Sequence, residues 1–111
     1  MEKFSEQAKT VFGFIGTLSK EQPKIAEGFM KLHHAGLENG AITSKHKELM
    51  SLAISIAIRC EGCIACHVQG SIKQGATQEE IVETIGVAIV MGGGPSITYG
   101  EKAYSAMKEM L

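Results

Sequence analysis

Leu49-Met50-Ser51-Leu52-Ala53-Ile54-Ser55-Ile56-Ala57-Ile58 is the stretch on which the architecture turns. Apart from Ser51 and Ser55 it is apolar throughout, so as a helix it has no polar face to offer water. It is also about half as long as a bilayer-crossing helix must be. The stretch therefore reads as a helix covered on several sides, capped upstream by Thr43 and running to about Ile58.

The pattern on either side is helical as well. Phe4, Ala8, Val11, Phe12 and Ile15 form one apolar stripe of a first helix. Ser19 is placed to cap a second, with Pro23 early in it. Ile25, Phe29 and Leu32 would be its inner face, and Gly36 or Gly40 its end. Downstream, a break near Arg59–Gly62 leads into a fourth helix that carries the cysteines and ends at Gly75. Thr77-Gln78-Glu79-Glu80 reads as a capping box opening a fifth helix, Ile81 to about Met91. Gly92-Gly93-Gly94-Pro95 stops that helix, and a last one runs from about Ser96 to Met110. The expected fold is all-α, five to six helices in a single domain over residues 1–111. The fifth helix, like the third, is apolar around much of its girth. A chain this short buries only roughly 65% of its unfolded surface, so we expect a homo-oligomer in which one of these helices packs on a neighbouring subunit.

Composition narrows the function classes. Hydrophobic residues make up 44% and charged residues 21% of the 111, with a net charge of -1. That balance suits a globular protein and argues against nucleic-acid or membrane-surface binding. Glu2 and Glu6 fall where a secretory signal would need an apolar run, which points to the cytoplasm. There, structural disulfides are rare and clustered cysteines are more often catalytic or metal-binding.

All three cysteines lie within Arg59-Cys60-Glu61-Gly62-Cys63-Ile64-Ala65-Cys66-His67. Cys60-x-x-Cys63-x-x-x-His67 is a dithiol followed by a histidine. Positions 63 and 67 share a helix face, so His67 can take a proton from Cys63, directly or through a water. With Cys60 at the helix entry, Cys63 falls in the first turn, where free N–H groups and the helix dipole favour a thiolate. Cys60–Cys63 is the better disulfide, because residues three apart inside a regular helix hold their Cβ atoms too far apart. Cys63-x-x-Cys66-His67 also matches a c-type haem attachment pattern, but the export signal that haem attachment would need is missing. Cys60-x-x-Cys63-x-x-Cys66 with His67 could be a zinc or iron–sulfur fragment, although the sulfurs would fan out along one helix. We expect no cofactor or metal. Cys66 reads as a core filler projecting away from the Cys60–His67 face.

Together with Glu48 and Gly75-Ala76-Thr77-Gln78-Glu79-Glu80-Ile81, the Cys60-x-x-Cys63-x-x-x-His67 motif resembles the alkylhydroperoxidase D-like branch of the carboxymuconolactone decarboxylase superfamily. The resemblance covers about Thr43 to Tyr99. It implies an all-α fold in trimers or hexamers and a thiol-dependent peroxidase, with Cys63 as peroxidatic nucleophile and Cys60 as resolving cysteine. Glu48 and His67 would form the proton relay. Implied partners are a hydroperoxide and a dithiol reductant, whether a lipoyl domain, thioredoxin or a small thiol. The decarboxylase branch proper lacks the cysteine pair, so lactone decarboxylation is not supported. Gly62 stands where family members often carry a larger residue, and Cys66 before the histidine is also unusual. The alternative is a non-catalytic helical oligomer with structural or metal-binding cysteines. His33, His34 and His46 are expected on polar helix surfaces without a role.

Overall fold

The computed structural model describes residues 3–111, which form six α-helices with no strand among them; Glu2 lies outside them. They are α1 (Phe4–Glu21), α2 (Pro23–Leu37), α3 (Ser44–Ala57), α4 (Glu61–Lys73), α5 (Gln78–Gly92) and α6 (Gly94–Met110). Two caps fall where the sequence placed them. Thr43 accepts the N–H of His46 at the start of α3, and Thr77 and Glu80 make a reciprocal capping box at the start of α5. Gly93, at φ 66°, is the whole joint between α5 and α6.

Three boundaries differ from expectation. Ser19 caps nothing: it lies inside α1, its hydroxyl donating to the Ile15 carbonyl at 3.1 Å, and Gln22 with Pro23 starts α2. A serine can satisfy itself within a helix in this way, which is why its N-cap preference misleads here. Gly36 is internal to α2, which ends at Leu37. Gly62 is already in α4, and the break before it is Ile58–Cys60. Arg59 has φ 61°, with its N–H on the Ile56 carbonyl and the Cys60 N–H on that of Ser55. This is a Schellman ending with arginine where glycine is usual.

The inner face of α2 is also one position off. Ile25, Phe29 and Leu32 are all exposed, Leu32 at 71%. The residues turned inward are Ala26, Met30, His33 and Leu37, spaced like a helical stripe, with small Ala26 buried. Two neighbouring stripes of this helix are apolar, so hydrophobicity alone does not choose between them.

α3, α4, α5 and α6 enclose the core, in which Leu52, Ile56, Ile64, Val68, Ile81 and Met107 are inaccessible to solvent. Gly100 lets α6 close on α5: a Cβ there would come within 2.8 Å of Ile85. α1 lies across α4, and α2 packs mainly on α1. The chain leaves Met50, Ile54 and Ile58 exposed along α3, and Val87, Val90 and Met91 along α5. No helix among the described residues is long and apolar enough to cross a membrane.

The start of α1 is held from the other end of the chain. The Glu109 carboxylate on α6 accepts the Phe4 and Ser5 N–H groups, each at 3.0 Å, and the Ser5 hydroxyl at 2.6 Å. The hydrogen bonds from Ser5, its hydroxyl first, hold the Glu109 carboxyl below the usual range. A depressed carboxyl contributes stability above its unfolded value and loses it as pH falls through the folded one. Glu109→Gln should therefore lower the melting temperature at neutral pH. The gap to the parent should close in acid, as followed by circular dichroism.

Candidate redox site

The site is built where α3 hands over to α4. Cys60 is the N-cap of α4, its own N–H tied to Ser55 and its sulfur accepting the Cys63 N–H at 3.3 Å. Cys60 and Cys63 are joined as a disulfide with Cα atoms 5.2 Å apart. The pair that geometry favoured is thus the pair that closes. Cys63 lies in the first helical turn, where backbone N–H groups favour a thiolate once the bond is reduced.

His67 follows one turn later. Its Nδ1 is 3.0 Å from Oε1 of Glu48, which reaches across from α3 and is only 9% exposed. A carboxylate accepts, so the proton is assigned to Nδ1, and Nε2 keeps the free lone pair. Gly70, three residues beyond His67, makes room for this pair. A Cβ at 70 would lie within 2.6 Å of the Glu48 carboxylate carbon. The sequence does carry a sign of this: a glycine inside a helix costs about 0.5–1 kcal/mol relative to alanine and often marks a close approach.

The four expected site residues, Glu48, Cys60, Cys63 and His67, all border one cavity of about 420 Å³. Its walls are largely apolar, with Val11, Phe12 and Ile15 from α1 and Phe29 and Met30 from α2. Val11 also fills space over Gly62: a Cβ there would meet the Val11 methyl at 3.4 Å. Gly62 thus lets a wall from α1 lie close over the disulfide-bearing turn.

Two residues are placed differently from expectation. Cys66 does not turn away into the core but is half-buried on the wall of the same cavity. Three residues put it only about 60° round the helix from Cys63, on the side opposite His67. Burial, with the Glu48 charge adding, pushes its thiol up from the ordinary value. His33 is not on a polar surface. It is half-buried on α2 with its ring 6.5 Å from that of His67. Burial pushes its proton affinity down, Glu48 opposes that, and His67 and His34 add to it. The clue was the 26-30-33-37 spacing of α2, which places His33 on the inner face. No group of three or more histidine, cysteine or acidic side chains among the described residues is arranged to hold a metal ion.

The sequence profile of the carboxymuconolactone decarboxylase family matches residues 23–106. The chain belongs to that family. The alkylhydroperoxidase D-like branch is consistent with this placement. Among solved structures, a carboxymuconolactone decarboxylase family protein of Legionella pneumophila, in its apo form, is 40% identical. The match covers 96% of each chain with a TM-score of 0.92. A family protein of Thermotoga maritima is 28% identical over 95% of this chain and 89% of its own, with a TM-score of 0.83. Among sequence relatives, protein 4 of the cox locus of Paracoccus denitrificans is 31% identical over 86% of each chain.

The position of Cys66 makes a prediction about thiol chemistry. Because burial and the Glu48 charge both keep it protonated, it should alkylate slowly at neutral pH in the disulfide form of the protein. Glu48→Gln removes the second of these causes, so Cys66 should then react faster. Peptide mapping after iodoacetamide treatment measures the change.

Proposed function

We propose that the protein is a dithiol–disulfide oxidoreductase that reduces hydroperoxides. The observation that supports it most is the Cys60–Cys63 disulfide bordering one cavity with the Glu48–His67 pair. A structural cross-link between residues three apart ties nothing distant together, so the bond adds little stability. A base held by a buried carboxylate beside it is what thiol chemistry calls for. The description of the Thermotoga relative, which names an antioxidative response, is in keeping with this.

In this reading His67 takes the Cys63 proton, with Glu48 holding its Nδ1–H and stabilising the imidazolium. The Cys63 thiolate attacks one peroxide oxygen, the O–O bond breaks, and the alcohol leaves with the proton that His67 returns. Cys63 is then a sulfenic acid. Cys60 attacks the Cys63 sulfur, the S–O bond breaks, and water departs with the Cys60 proton. An external dithiol (a lipoyl domain, thioredoxin or a small thiol) reduces the resulting disulfide through a mixed disulfide and becomes oxidised itself. The apolar cavity wall suits a hydroperoxide with a hydrocarbon body. The exposed stripes on α3 and α5 suit burial between copies in a homotrimer or homohexamer, and we place the protein in the cytoplasm.

Intact-mass analysis of the reduced protein with one equivalent of an organic hydroperoxide tests this reading. The expected product has lost two hydrogens, mapped to Cys60–Cys63 and restored by dithiol. Three thiols untouched by peroxide would overturn the peroxidase reading. His67→Ala should slow the oxidation by roughly 10²–10⁴; an unchanged rate would remove His67 from the relay.

A further inference from the structure

Phe29 and His33 of α2 and His67 of α4 make a succession of ring contacts at the site. Phe29 and His33, one turn apart, have centroids 6.0 Å apart with planes at 32°. His33 and His67 follow at 6.5 Å and 27°. Both spacings are those of offset ring pairs. Among the described residues, the only hydrogen bond His67 makes through its ring is at one edge, from Nδ1 to Glu48. One edge contact leaves the ring free to tilt, because the terminal torsion of histidine is broad. Among the described residues, no side chain of α2 hydrogen-bonds to another helix; its one ion pair, Lys31–Glu27, is internal. What α2 brings to the site is therefore packing: Met30 on the cavity wall and the ring of His33 against His67.

We propose that His33 is a positioning residue: stacked on His67 and backed by Phe29, it holds that imidazole in the orientation that joins Nδ1 to Glu48 and turns Nε2 to Cys63. The inference rests on the reading of His67 as the base and adds α2 to the machinery. The charged and titratable groups that share cavity walls with His33 are Glu48 from α3, the cysteines, His67 and Lys73 at α4, and His34 and Glu38 of its own segment. Burial outweighs the pull of Glu48 and favours the uncharged form of the His33 ring. A neutral ring can stack on an imidazolium without repelling it. The same property makes His33 a poor second base, so shape is what it supplies.

The test uses two readouts on the reduced full-length protein, neither of which needs peroxide. One is the rate of Cys63 alkylation at neutral pH, mapped by peptide mass spectrometry. The other is the tautomer of the His67 ring by nitrogen NMR. His33→Ala should slow Cys63 alkylation about tenfold, the scale of a loosened reacting group, and mix the His67 tautomers. His33→Phe, which stacks but cannot carry a proton, should restore the rate to within about twofold and the single tautomer. Phe29→Ala leaves His33 and His67 in place and should change both readouts in the same direction by less. It keeps the stack testable if His33→Ala does not fold.

Parent-like alkylation and a single tautomer in a folded His33→Ala would overturn the proposal. So would a His33→Phe protein as impaired as His33→Ala while His33→Gln recovers, since that pattern calls for a polar group and not a ring. If the parent shows an ordered His67 and a fast Cys63 yet peroxide leaves the thiols untouched, the peroxidase reading fails and the positioning role stands.

Discussion

A carboxylate that is 9% exposed has to keep a partner, and Glu48 keeps His67 across the α3–α4 contact. Much of the local structure serves that bond. α3 brings the acid in from its N-terminal half, just beyond the first turn that Thr43 caps. Gly70 clears the space in α4 that the carboxylate occupies. The turn through Arg59, left-handed at a cost of about 1 kcal/mol or more, directs the chain from α3 into α4. Because the Ser55 carbonyl then holds the Cys60 N–H, the disulfide and the histidine are set relative to one another by a single helix–turn–helix.

The supporting helices divide their apolar residues between two tasks. On α3 one side gives Leu52 and Ile56 to the core, while Met50 and Ile54 remain outside. Burying a side chain of this size is worth about 1.5–3 kcal/mol, so the stripe left uncovered is sizeable apolar surface that the single chain does not use. α1 and α2 spend theirs differently. Val11, Phe12, Ile15, Phe29 and Met30 line the cavity, and Val11, Phe12 and Phe29 remain exposed.

The all-α fold and the order of the helices were readable because helical periodicity, threonine caps and glycine stops act locally. Thr43, Thr77 and Gly93 lie within a few residues of the boundaries they set. The face of α2 was not readable in the same way: its two neighbouring stripes are both apolar, and the choice between them depends on how closely Ala26 lets α1 approach. His33 went unrecognised for that reason, and Gly70 because its partner is 22 residues away in sequence and on another helix. Glu48 and His67 were singled out through a family resemblance together with helical spacing. Their contact depends on how α3 and α4 pack, which spacing along one helix does not encode.

The same carboxylate also bears on why three thiols in seven residues would give one redox pair. Cys60 and Cys63 sit at the start of α4, where unpaired N–H groups concentrate positive potential. Cys66 is one turn further in, past the reach of that potential and within the field of Glu48. There, burial and the negative charge both favour the protonated thiol. A protonated thiol neither attacks peroxide nor exchanges with a disulfide at an appreciable rate. One buried anion thus serves both of its neighbours on α4: it accepts the Nδ1–H of His67, and it favours the protonated thiol at Cys66. The first effect activates a thiolate in the proposed reaction. The second keeps a nearby sulfur from competing for the Cys60–Cys63 bond.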